Sequence, residues 1–437
     1  MPTRRDFLRT STAAAITLAA PATPAVAQGR EPDPLPPLDR PTGAPVAVAR
    51  DEAYWGRVRA YYRADVPATN LEGGYFGMMA APVLAAFHAH VDRVNTQNSW
   101  LARRDYPAAT VAARARVART LGCKPTELAF ARGATEALQC LIGGYRHVGA
   151  GDAVLWADTD YNAMQWAMNA LAERRGARVV RLVMPEPLTR DAVFATYERA
   201  FRETPRARLV LLTHLNNKHG GIVPVKELVA MARAHGIDAI VDAAHSFGQC
   251  DLTLADLGAD FVGANLHKWF GAPVGAGMLY IRESRLDAIE RHFADEAAPI
   301  TSIESRIHTG TTSFATVLTV PAALDFHDAV GPAYKAARVR YLRDRWVTAA
   351  RRIRGVDILT ADGPDDVAAI TSFRLHGRGD RASTQAVQAT LLQDHGIFTQ
   401  HRTGLANGDC LRVTPALYNT PADADRLVEA LATLASA

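Results

Sequence analysis

The chain has 437 residues, 48% hydrophobic and 22% charged, a composition that excludes disordered, collagenous and small disulfide-stapled classes. Its 49 Lys and Arg against 45 Asp and Glu leave a formal charge of +4, and the basic residues are scattered rather than interleaved with aromatics, so nucleic acid is not a predicted partner. Four cysteines without a CxxC pair or zinc spacing predict free thiols and no metal site.

At the N-terminus, Thr3-Arg4-Arg5-Asp6-Phe7-Leu8-Arg9 precedes an Ala-rich apolar stretch that ends in Ala25-Val26-Ala27. This resembles a twin-arginine export signal with an A-x-A cleavage site. The stretch is interrupted by Pro21 and Pro24 and falls short of the roughly 20 apolar residues of a membrane span. Residues 1–27 therefore read as a signal peptide, with a periplasmic or exported location implied and no stable membrane association after cleavage. Residues 28–50 read as a Pro-rich linker, and residues 51–82 as an N-terminal segment.

Residues 83–320 read as a large domain in which short apolar runs alternate with amphipathic stretches. Leu128-Ala129-Phe130, Ala153-Val154-Leu155-Trp156, Val179-Val180-Arg181-Leu182, Leu209-Val210-Leu211-Leu212, Ala239-Ile240-Val241, Phe261-Val262-Gly263 and Met278-Leu279-Tyr280-Ile281 predict seven strands. Helices are predicted over 134–142, 163–174 and 225–235, the last ended by Gly236. Residues 321–437 read as a smaller C-terminal α+β domain with a long helix over 334–353 and strands at 370–375 and 411–413. The fold class is thus α/β, a mostly parallel seven-stranded sheet flanked by helices beside a smaller domain. Such sheets carry their functional groups at the carboxyl ends of strands.

Asp242 follows Ala239-Ile240-Val241 directly, which puts a carboxylate at the end of a buried central strand. A charge there needs a partner. Lys268 lies one βα unit further on, after the next strand and ahead of Trp269 and Phe270, so both side chains would project into one cleft with the lysine desolvated and its pKa lowered. A buried lysine and aspartate so placed are what pyridoxal 5′-phosphate requires: the amine condenses with the aldehyde as a Schiff base, and the carboxylate holds the pyridine nitrogen protonated. Gly133-Ala134-Thr135-Glu136 follows a strand and opens a helix, which offers N–H groups to a phosphate.

Together these pieces resemble the class V aminotransferase family, of pyridoxal-phosphate fold type I, and within it the isopenicillin N epimerase-like branch. The resemblance runs from about Asn70 to Thr420 and is most specific over Val241-Asp242-Ala243-Ala244-His245-Ser246 and Asn265-Leu266-His267-Lys268. It implies Lys268 as the catalytic lysine, Asp242 as partner of the pyridine nitrogen and His245 beside the ring's phenolic oxygen. Ala134 and Thr135 are implied as the phosphate-binding pair, Tyr161 as the stacking aromatic, and Asn217 as a contact to a cofactor oxygen. Asn265 and His267 stand where the family often has Ser and His near the phosphate, the Asn being a departure. Thr311 matches a threonine that reaches the neighbouring subunit's phosphate, which implies a homodimer with shared active sites. Arg412 matches the arginine that grips the substrate carboxylate.

The implied substrate is an amino acid or amine, and transamination is the broad family activity, with epimerisation and C–S or β-elimination as alternatives. A cysteine desulfurase needs a nucleophilic cysteine on a loop ahead of the carboxylate-binding arginine. Residues 399–409 contain none, and Cys410 sits on the presumed strand. Two further readings are a non-catalytic binding protein, which would not need Lys268, and a dinucleotide oxidoreductase. The latter rests on Gly377-Arg378-Gly379-Asp380-Arg381-Ala382, which lacks a βαβ unit with an acidic residue about 20 positions on. His88 and His90 lie two apart on a predicted helix, pointing to different faces rather than to one metal.

Overall fold

Short apolar runs suit strands buried on both faces, and all seven predicted runs become strands of one sheet, the one that carries Arg181 as its largely exposed edge strand. The computed structural model describes residues 38–293, 296–363 and 365–436. After a two-residue strand β1 (Thr69–Asn70) come β2 (Leu128–Ala131), β3 (Ala153–Ala157), β4 (Arg178–Leu182), β5 (Ala207–Thr213), β6 (Asp238–Asp242), β7 (Phe261–Asn265) and β8 (Gly277–Ile281). The last seven form the large sheet in the order β2-β8-β7-β6-β5-β3-β4, with β8 antiparallel to both its neighbours and the remaining pairs parallel. Alternate residues feed two cores: Val210, Leu212, Val241 and Val262 pack on one face, and Leu209, Leu211, Ile240 and Phe261 on the other, as the two-residue period of a strand dictates.

A second sheet, in the order β12-β13-β10-β9, joins β9 (Val356–Ile358), β10 (Thr371–Leu375), β12 (Gln400–Arg402) and β13 (Cys410–Val413), while β11 (Ile397–Phe398) pairs with β1. Its core is closed by Trp346, Val347, Leu427 and Leu431 from the helices Pro332–Ala350 and Pro421–Ser436. The described residues cluster as one compact unit. The predicted boundary at 320/321 falls inside one helix, Phe314–Val330, which carries Pro321 within it.

One expectation needs correction, and one rival reading is set aside. Residues 38–50 are not an extended linker: Pro45–Val48 is a helical turn, Val48 and Ala49 are buried, and the Trp55 indole donates to the Val48 carbonyl at 2.8 Å. The apolar side chains of Val48 and Ala49 drive this burial, while Val46 stays exposed; the predicted signal peptide and the rest of the linker lie outside the described residues. Second, the glycine motif at 377–382 joins β10 of an antiparallel sheet to the helix Arg381–Gln393, and Asp380 caps that helix by accepting from Ser383 N at 3.0 Å. A carboxylate already holds the helix N-terminus, so no pyrophosphate fits there. Among the described residues no helix is long and apolar enough to cross a membrane.

Candidate active site

The register of the large sheet assembles the site. Thr213 at the end of β5 pairs with Asp242 at the end of β6, and Asp242 with Gly263 of β7, so Lys268, three residues past β7, returns over the same edge. A cavity of about 420 Å³ opens there, lined by Thr135, Tyr161, Asn217, Asp242, His245, Asn265, His267, Lys268 and Arg412. Nine of the eleven residues expected from the sequence thus meet in one place.

Lys268 and His245 set each other's protonation. The Trp269 indole donates to His245 Nδ1 at 3.3 Å, which leaves the imidazole proton on Nε2. His245 Nε2 then donates to Lys268 Nζ at 2.9 Å, a bond that needs a neutral amine. Electrostatics agree: burial, aided by Arg412 and Arg402 and opposed by Asp242, lowers the Lys268 amine to about 7, and burial, with Lys268 next, holds His245 far below the ordinary histidine value. Asp242 is 3% exposed, and burial raises its carboxyl while the Ala244 N–H, 2.9 Å from Oδ1, and Lys268 act in the opposite sense. Its second oxygen is free to receive a cationic ring N–H. The buried Asn217 Oδ1 has no hydrogen-bond partner, an orphan that a ligand hydroxyl would satisfy.

The phosphate end differs in detail from expectation. The Ala134 N–H donates to Asn265 Oδ1 at 2.8 Å, so Ala134 does not line the cavity, and the side chain of Asn265 fills the place of an anion at that N–H. This is the consequence of the Asn departure: its amide oxygen caps the helix Ala134–Gly144, leaving Thr135 as the member of the pair that faces the cavity. His267 Nδ1 donates to the Ala276 carbonyl at 2.7 Å, which directs the other ring nitrogen away from that contact. Gly277 allows the approach: a Cβ there would stand 2.4 Å from Gly133 Cα. Tyr161 stands just ahead of the helix Asn162–Arg175, without a side-chain capping bond, and remains 44% exposed at the cavity wall. Thr311 lies on an exposed bend outside the cavity of its own chain.

At the opposite end the sequence reading was incomplete. Arg412, on β13, is 1% exposed, and Glu72 takes its Nε and Nη2 edge, while Nη1 donates to the Asn217 carbonyl at 3.0 Å. Glu72 also meets Arg402 of β12 at 3.3 Å. Arg402 lines the same cavity, and burial, with Arg412 next, lowers its guanidinium to about 10. It is therefore the less neutralised of the two forks. Tyr75 and Gly74 complete this wall; the signal for them is the run Leu71-Glu72-Gly73-Gly74-Tyr75, an acid ahead of paired glycines. Gly74 is required by contact, since a Cβ there would lie 3.0 Å from Arg412 Nη2. Cys410 is buried, with its thiol pushed up to about 12 by desolvation.

Comparison with known proteins agrees with this geometry. The family model described as Aminotransferase class-V matches residues 84–427. The isopenicillin N epimerases of Streptomyces clavuligerus and Amycolatopsis lactamdurans are 29% and 28% identical, over 87% and 86% of this chain and 98% of each of theirs. A putative L-cysteine desulfhydrase of Oryza sativa subsp. japonica is 35% identical over 40% of this chain and 38% of its own. Among solved structures, the apo cysteine desulfurase of Thermococcus onnurineus NA1 superposes with a TM-score of 0.73 at 20% identity, over 87% of this chain and 98% of that one.

Proposed function

Because the chain belongs to the class V aminotransferase family, whose cofactor is pyridoxal 5′-phosphate, we propose that it removes the Cα proton of an α-amino acid with Lys268 as the base. The observation that carries this reading is the desolvated Lys268 amine, lowered to about 7, bonded to His245 opposite the buried carboxylate of Asp242. The residues fit the cofactor: Thr135, Asn265 and His267 would hold its phosphate, Asp242 its ring nitrogen, Asn217 a ring oxygen, and Tyr161 would cover its face. Bound there, it supplies an aldehyde for the amine and an electron-withdrawing ring that acidifies Cα.

The chain's own groups do the rest. Arg402 and Arg412 fix the substrate carboxylate, which orients the Cα–H bond toward Lys268. His245, neutral and donating through Nε2, favours the unprotonated amine at rest, and on release of that bond the lysine lone pair can accept a proton and return it. The two epimerases matched across nearly their whole length, together with the desulfhydrase relatives, put epimerisation and β-elimination level with transamination. Buried Cys410 supplies no thiolate for persulfide formation.

Incubation of the cofactor-loaded protein with L- and D-amino acids in D2O tests the reading. Deuterium entering Cα, read by proton NMR, is expected for the true substrate class, and keto acid, inverted amino acid or eliminated fragment then names the outcome. A protein that shows the cofactor's visible band yet exchanges no amino acid would overturn it. The same proposal includes a homodimer in which Thr311 reaches the other site, supported by the exposed Tyr75 and Phe76 beside the cavity, and export of the folded chain, supported by Arg4-Arg5 and Ala25-Val26-Ala27. Sedimentation and cell fractionation decide these two points.

A further inference from the structure

The turn that carries Lys268 is held by three successive carbonyls. His267 O accepts from Gly77 N at 2.8 Å, and Lys268 O accepts from Gly271 N at 3.1 Å. Both are main-chain bonds, and Gly77 is compelled, because a Cβ there would stand 1.8 Å from Lys268 O. The third carbonyl, that of Trp269, accepts instead from a side chain, Lys335 Nζ.

Lysine is an expensive choice for that bond. Lys335 lies on the helix Pro332–Ala350, is 6% exposed, and among the described residues meets no carboxylate. Burial alone lowers its amine to about 7. The charged or titratable groups around it include Lys268 and His327, whose Nδ1 is unpartnered and whose ring burial and Lys335 keep neutral, and two phenols, Tyr62 and Tyr418, both raised by burial. Tyr62 and Tyr418 have their ring centroids 6.1 Å apart and, with Lys335, Lys268 and Trp269, line a small space of about 30 Å³. That is room for a water, and an amine with two hydroxyls supplies the two to four polar partners a buried water needs. An apolar residue would pack the same position without desolvating an amine, so the N–H at Trp269 O is what the lysine adds.

We propose that Lys335 is a positioning residue for Lys268: its amine, sharing one buried water with Tyr62 and Tyr418, holds the Trp269 carbonyl and so fixes the turn from which Lys268 meets His245. The proposal rests on the functional reading above only for what Lys268 then does. Trp269 ties both halves together, because its carbonyl accepts from Lys335 while its indole fixes the His245 tautomer.

The test is made on cofactor-free protein, by following acetylation of Lys268 with acetic anhydride against pH by peptide mass spectrometry. In the wild type the midpoint is expected near 7. Lys335→Met frees the turn, hydrates Lys268 and raises that midpoint by about one pH unit, whereas Lys335→Gln, which keeps an N–H donor, restores most of the shift. A folded Lys335→Met protein with an unchanged Lys268 midpoint overturns the proposal. Should Lys335→Met not fold, Tyr62→Phe decides: loss of one partner of the water is expected to move the midpoint the same way by a smaller amount, and an unmoved midpoint overturns it. The cofactor reading fails separately, through a wild-type protein that develops no visible band with pyridoxal phosphate while its Lys268 midpoint still depends on Lys335.

Discussion

The two ends of the cavity are built by opposite strategies. At the large-sheet end, Asp242, His245 and Lys268 come from one βα unit, stand desolvated, and have protonation states displaced from their ordinary values. At the small-sheet end, Arg402 and Arg412 share a carboxylate from Glu72, brought from some 340 positions away in sequence. The first end is reactive because burial displaces its protonation states; the second is a rigid, half-neutralised cradle. Two guanidinium groups against one carboxylate leave a single positive charge, which matches one substrate carboxylate.

Removing the reactive end should have the largest effect. Lys268→Ala is expected to lose the cofactor's visible band and about four orders of magnitude in turnover; a variant retaining a tenth of wild-type turnover would move the base elsewhere. Asp242→Asn keeps the shape but cannot hold a ring cation, and a loss of about a hundredfold in kcat with little change in KM is expected. The cradle should respond differently. Arg402→Ala is expected to act mainly on KM, by about tenfold or more, since it removes the less neutralised fork. Arg412→Ala should in addition destabilise the fold by about 3 kcal/mol in urea, because Glu72 keeps only its longer contact to Arg402. Equal effects of the two arginine variants on stability would erase the distinction drawn between them.

The contrast also predicts a pH dependence. Burial lowers the Lys268 amine to about 7 from the ordinary 10.5, so the unfolded chain binds the extra proton between those values. Burying this lysine therefore costs stability in full below about pH 7, and the cost fades as pH rises toward 10.5. The rate of cofactor capture by apo protein should be level above about pH 7 and fall about tenfold per unit below it. Stopped-flow absorbance checks this, and a capture rate still rising between pH 8 and 10 would mean an ordinary lysine.

What could be read from the sequence follows the same division. Asp242 and Lys268 were legible because a charged residue that ends a fully apolar run has few other reasons to be there, and the seven runs fixed the sheet. Arg412 was legible only through resemblance, and its partner Glu72 not at all, since nothing local links positions so far apart. Arg402 lies on a three-residue, half-buried strand, β12, too short for a periodic signal. The capping of Ala134 by Asn265 was missed because it joins the end of β7 to a helix N-terminus across 131 positions. The linker over 38–50 was misread because its prolines outweighed the two apolar residues, Val48 and Ala49, that the structure buries.

The smallest expected effect concerns Cys410, one residue from Leu411 and two from Arg412 on the cradle strand. Its side chain is fully buried among Leu359 and Leu405, its thiol is pushed up to about 12, and its sulfur contacts the Lys218 carbonyl at 3.7 Å. A group so placed is packing, not a nucleophile. Cys410→Ala should cost about 1 kcal/mol of stability through the volume lost, and leave turnover within about twofold. Sulfide release from L-cysteine is the decisive assay on this variant. Elimination driven by Lys268 would survive it undiminished, whereas persulfide chemistry would vanish with the thiol and show the cradle strand to be a reactive element in its own right.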